Sequence, residues 1–122
     1  MLNHNPGNER IKRIYFTYLK EAKRQSEQSV DAVAKALARF EEYTHFKEFK
    51  AFHHQQAIAF KNRLAKQKGQ RSGELLSKAT LHSTLSALQR FFFWLAGQPG
   101  YKSQFTYSDA DFFNISGNDV RI

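Results

Sequence analysis

Between Pro6 and Pro99 the chain holds no proline, so no ring clash or missing backbone donor breaks a helix in that interval. Ala, Gln, Lys, Glu and Leu are frequent there and favour helix, while strand-type alternation of apolar and polar residues is hard to find. The fold class this implies is an all-α bundle. The strongest single signal is Leu76–Gly100. In it Leu81, Leu85, Leu88, Phe92 and Leu95 recur four and three apart and so share one helical face. Ser77 is the expected N-cap, Gly97 the expected left-handed closing residue, and Pro99 bars continuation.

Three further helices precede it. The first is expected over Asn8–Gln25, with Ile11, Ile14, Tyr15, Tyr18, Leu19 and Ala22 inward and Lys12, Lys20 and Arg24 outward. The second starts at Ser29 as its cap, with Asp31 in the first turn and Val30, Val33, Leu37 and Phe40 as its stripe. A packed connector bearing Phe46, Phe49 and Phe52 follows. The third helix covers His54–Lys68, with Ala57, Phe60 and Leu64 inward and Gly69 ending it. A short fifth helix begins at Ser108 with Asp111 three residues on, and Phe112 and Phe113 pack back. Residues 1–7 read as an arm, 8–116 as one domain and 117–122 as an exposed tail.

At 122 residues, 41% hydrophobic and 15% aromatic, the chain can bury a core without staples. It has no cysteine, which excludes disulfides, thiolate metal sites and a thiol nucleophile. No apolar run approaches the roughly 20 residues a membrane span needs, and the N-terminus lacks a signal-peptide core, so a cytoplasmic protein without membrane contact is expected.

The five histidines suggest a metal or an acid–base site, but His53 and His54 point about 100° apart on a helix. No HExxH or HxxxH pair exists, and connector or surface roles are expected. No nucleophile elbow, Walker loop or dinucleotide fingerprint occurs. Glu41 and Glu42 are neighbours rather than a facing acid pair and are expected to solvate the end of the second helix. Phe91 and Phe92 are expected in the core, with Phe93 or Trp94 covering a neighbouring element. No catalytic constellation emerges, and no cofactor is implied.

Net charge is +8, and it is clustered. Residues 9–24 carry six cations against two acids, 45–72 seven against one, and 29–44 two against three. Lys61–Arg71 (KNRLAKQKGQR) holds five cations and no acid, and leads into a helix opening with Lys78, Thr80, His82 and Ser83 on polar positions. A cationic approach to a helix N-terminus suits a polyanion, with backbone amides and hydroxyls on phosphates and a few side chains on base edges. The expectation is that this segment and the opening turn of the last long helix form one electropositive ledge. A helical protein-interaction domain with a basic surface and a small RNA-binding bundle are the competing readings.

Three segments carry a family resemblance: Tyr18–Tyr43 (YLKEAKRQSEQSVDAVAKALARFEEY), Gln56–Gly69 (QAIAFKNRLAKQKG) and Leu76–Leu95 (LSKATLHSTLSALQRFFFWL). Together they resemble the core-binding domain of tyrosine recombinases, the phage-integrase group with an N-terminal SAM-like four-helix bundle. The resemblance implies double-stranded DNA binding that positions DNA for integration or recombination, with helices two and four facing the major groove. Carried onto this chain it implies Ser29, Ala32, Lys35 and Arg39 on helix two. On helix four it implies Lys78, Thr80, His82 and Ser83, with Lys66, Lys68 and Arg71 on the DNA backbone. The implied partners are duplex DNA, the parent chain's own catalytic domain and further copies on DNA. The family's HxxR element is missing here, so the five tyrosines have no claim to be its nucleophile, and the chain reads as a non-catalytic fragment whose residues 117–122 start a linker. Two positions depart from the family pattern: Asp31 near the DNA-facing start of helix two, and Gln89 where arginine is common, although Arg90 follows.

Overall fold

A computed structural model describes residues 5–66, 77–102 and 104–113. Within them the chain forms five α-helices: α1 Pro6–Glu21, α2 Glu27–Thr44, α3 His54–Lys66, α4 Lys78–Leu95 and α5 Tyr107–Ala110. A 3₁₀ turn at Phe49–Ala51 precedes α3, and another at Asp111–Phe113 follows α5. No strand occurs among the described residues.

The helix starts follow from side-chain caps. The Asn5 side chain accepts from the Asn8 N–H at 3.1 Å with Pro6 in the first turn, so α1 begins two residues before its expected start and takes in part of the supposed arm. Ser77 accepts from the Thr80 N–H at 3.1 Å and starts α4 where its sequence signal stands. For α2 the cap is Ser26, not Ser29: Ser26 Oγ accepts from the Ser29 N–H at 3.2 Å. The helix starts a turn ahead of its first apolar residue, because Glu27 suits the positive end of the helix dipole. For α5 the cap is Thr106, not Ser108; Asp109 reaches back to accept from the Thr106 N–H at 2.9 Å, a capping box that stands just ahead of the expected Ser108–Asp111 one.

The ends were harder to read. Arg24 adopts a left-handed φ of 58°, so α1 stops at Glu21 and does not reach Gln25. His45 (φ 59°) closes α2, with its N–H on Glu42 O and the Phe46 N–H on Glu41 O at 2.8 Å, a Schellman arrangement without glycine. Gly97 does not take the left-handed conformation. Ala96 and the residues after it leave α4 by tight turns, Gly97 N–H to Trp94 O and Gln98 N–H to Leu95 O, and positive φ appears at Gly100.

The core is aromatic at its centre. Phe92 stacks on Phe52 at 4.1 Å and meets Phe40, Phe49, Phe91, Phe105 and Phe113 edge-on or stacked, each within 6 Å between ring centroids. All five apolar stripe residues of α4 are buried, as are Val30, Leu37 and Phe40 of α2 and Ala57, Phe60 and Leu64 of α3. Ile14 is 45% exposed and Ala22 is exposed, against expectation, because α1 buries only the narrower face of Asn8, Ile11, Tyr15 and Leu19. Phe113 is buried, whereas Phe112 stays 40% exposed and stacks on His54 at 4.7 Å.

Two acidic residues behave differently from one another. Glu42 is exposed, but Glu41 is buried: Lys12, expected outward, reaches its Oε1 at 2.6 Å. Burial on its own would lower the Lys12 pKa, but its hydrogen bonds to Glu41 and Glu9 outweigh it and the net shift is upward. Buried Asn8 completes this junction. Its amide donates to Glu41 Oε2 and to Lys47 O at 2.8 Å, and its Oδ1 accepts from the Phe49 N–H at 3.0 Å. The connector is thereby tied to α1.

Candidate nucleic-acid interface

α2 packs against α4 more extensively than any other pair of elements do. Beside that contact, with the end of α1 as a third wall, lies an open cleft of about 950 Å³. Ser29, Ala32 and Val33 line it from α2, and His82, Ser83, Ser86, Ala87 and Arg90 from α4; Lys23 and Gln25 stand on the α1 side. Its floor is aromatic: Tyr15 and Tyr18 meet Trp94 at 4.9 and 6.1 Å. Burial pushes the Tyr15 hydroxyl up to about 12.

The cleft's polar groups suit an anion. Two fixed cations, Lys23 and Arg90, and no carboxylate line it. Ser29 Oγ accepts from Ser26 Oγ at 3.2 Å, which leaves its own hydrogen free to donate. His82, Ser86 and Arg90 follow at four-residue spacing on the face of α4 opposite its buried stripe.

The residues expected at the interface therefore divide. Ser29, Ala32, His82 and Ser83 meet in this cleft. Arg39 and Lys66 meet in a second, smaller recess with Glu42, Tyr43, Phe60 and Arg63. Lys35 and Lys78 are exposed but line neither. Thr80 turns to the helix cap, where its Oγ1 accepts from Ser77 Oγ at 3.0 Å. Lys68 and Arg71 lie outside the described residues, as does most of the segment expected to join Lys66 to Lys78 in one ledge.

Sequence reasoning missed Lys23 and Arg90; Arg63 stood within the cationic Lys61–Arg71 run but was not among the expected contacts. Lys23 lies just past the end of α1 in the cation-rich stretch 9–24, where nothing local separates it from its neighbours. Arg90 could have been found from its fours-apart relation to His82 and Ser86, opposite the apolar stripe. Asp31 is exposed and lines neither recess.

His54 Nδ1 lies 3.2 Å from Asp109 Oδ1, which joins the start of α3 to the α5 cap. Burial works to raise the Asp109 pKa, but the Thr106 backbone N–H and His54 outweigh it and hold it below the usual carboxylate value. Among the described residues no three of His, Cys, Asp or Glu gather as a metal site, and no helix is long and apolar enough to cross a membrane.

An all-helical bundle of SAM-like kind is what these elements define. Residues 13–98 match the phage integrase N-terminal SAM-like domain, and the chain belongs to that family. No individual curated protein and no solved structure matches the chain.

Proposed function

We propose that this domain binds double-stranded DNA for a site-specific tyrosine recombinase, holding the duplex while a catalytic domain elsewhere in the parent protein exchanges strands. The observation that carries the reading is the convergence of Ser29 and Ala32 from α2 with His82, Ser83 and Arg90 from α4 on one carboxylate-free cleft. Hydroxyls and cations of this kind hold phosphates and fix the register of a protein on a duplex, while side chains between them reach base edges. Family membership supports the recombinase setting. The domain itself performs no chemistry in this account, and its partners are the duplex, the catalytic domain and further copies on the same DNA.

Titration of a labelled duplex at roughly 50 and 200 mM salt tests the reading, because neutralised phosphates release counterions and affinity falls steeply as salt rises. Salt-sensitive duplex binding that structured RNA competes for poorly is the expected result. Absence of binding at low salt, or preference for the RNA, contradicts it.

A further inference from the structure

The recess between α2 and α3 is distinct from the cleft and carries its own chemistry. Arg39, Arg63 and Lys66 converge on it, with the Tyr43 and Phe60 rings as its apolar wall. Arg63 is held over the Tyr43 ring, its guanidinium carbon 5.7 Å from the centroid. Arg39 is half-buried, and its Nη1 is shielded from solvent without a hydrogen-bond partner. A buried guanidinium N–H without an acceptor is costly, and native structures rarely tolerate one that nothing ever satisfies. Among the described residues none of the three cations is in an ion pair. Three cations around one unsatisfied donor call for a compact oxyanion.

The position of the recess says which one. Ala32 lines the cleft and Arg39 the recess, seven residues apart on one flank of α2, two turns or about 10 Å along its axis. A polyanion lying along that flank meets both.

We propose that Arg39, Arg63 and Lys66 form a seat for one phosphate of the DNA backbone, with Arg39 Nη1 as its innermost donor. The inference rests on the duplex-binding reading above and adds that Arg39 grips the backbone and does not read a base. Glu42, exposed on the same recess, opposes the anion. Glu42→Gln should therefore tighten binding about twofold to threefold.

The test counts phosphates. Arg39→Gln should weaken duplex binding about tenfold, the loss expected of one charge-assisted hydrogen bond. Replacing Arg39, Arg63 and Lys66 together by Gln should reduce the slope of log affinity against log salt by about one, since one phosphate is released. A neutral methylphosphonate moved along the duplex should weaken the wild-type protein at one position in this region, and that position should be silent in the triple variant. Circular dichroism checks the fold. Lys66→Gln, at the exposed end of α3, and Arg39→Lys, which keeps the charge but loses the fork, carry the test if the triple variant unfolds: the first should still lose affinity at that one phosphate, and the second should lose affinity equally on all sequences. A triple variant whose slope falls by about three, or that binds like wild type, overturns the seat while leaving duplex binding intact. Wild-type protein that fails to bind duplex at all removes both.

Discussion

Lys12 Nζ lies 2.6 Å from Glu41 Oε1, and only 1% of the Glu41 side chain is exposed. This pair, with Asn8 beside it, fastens α1 to the end of α2 and so fixes one wall of the cleft. Removing Lys12 strands the buried Glu41 carboxylate, which costs about 3 kcal/mol or more, whereas without Glu41 the Lys12 ammonium keeps Glu9 at 2.7 Å. Lys12→Ala should lower the urea midpoint by a corresponding amount, while Lys12→Met combined with Glu41→Met should recover most of the loss. A Lys12→Ala protein as stable as wild type would show that the pair contributes nothing.

Phe92 is the hub of the aromatic core and is fully buried. Phe92→Ala removes a side chain that five phenylalanines and Phe52's stacked face surround, and should cost about 3 to 5 kcal/mol. In a domain of this size that is a large part of the total stability. Thermal unfolding should show a drop of more than 10 °C, or no cooperative transition.

Alkaline pH should weaken the fold. The folded Tyr15 pKa is raised from 10.0 to about 12 by burial. Its contribution is therefore complete below pH 10 and fades as pH rises toward 12, because the unfolded chain loses its proton first. Lys12, also raised, acts in the same direction. Melting temperature should fall over that interval, and Tyr15→Phe should flatten the fall.

Arg90 and Thr80 separate the cleft from the cap. Arg90→Gln should weaken binding to every duplex and reduce the salt slope by about one, with melting temperature unchanged. Thr80→Val should leave DNA affinity alone and cost a few tenths to about 1 kcal/mol through the loosened cap. The opposite pattern would move the interface toward the α4 N-terminus.

Much of this architecture was legible because long apolar periodicity reports directly on burial. The stripes of α3 and α4 are buried as their spacing implies, as is that of α2 except Val33, which is only partly buried and lines the cleft, and Ser77 caps α4 as its position implies. Helix ends were illegible where Arg24 and His45 take left-handed conformations ordinarily left to glycine, since nothing local marks them. Ser26 was hidden behind Ser29, and Thr106 behind Ser108, because two capping residues stood within one turn of each other. Glu41 was misread because its partners, Asn8 and Lys12, are about thirty residues away in sequence. The site was half legible for the same reason. Exposed positions on α2 and α4 follow from periodicity, but the meeting of Lys23 with Arg90 in the cleft, and of Arg63 with Arg39 in the recess, depends on how four helices pack.

The most direct measurement is backbone amide chemical-shift mapping of the domain against a short duplex. The largest changes should fall on Ser29, Ala32, His82, Ser83 and Arg90, with Arg39 and Lys66 following along the same flank. Changes confined to the Arg10–Ile14 face of α1 and the Gln98–Tyr101 turn, which line a pocket elsewhere on the molecule, would contradict the account.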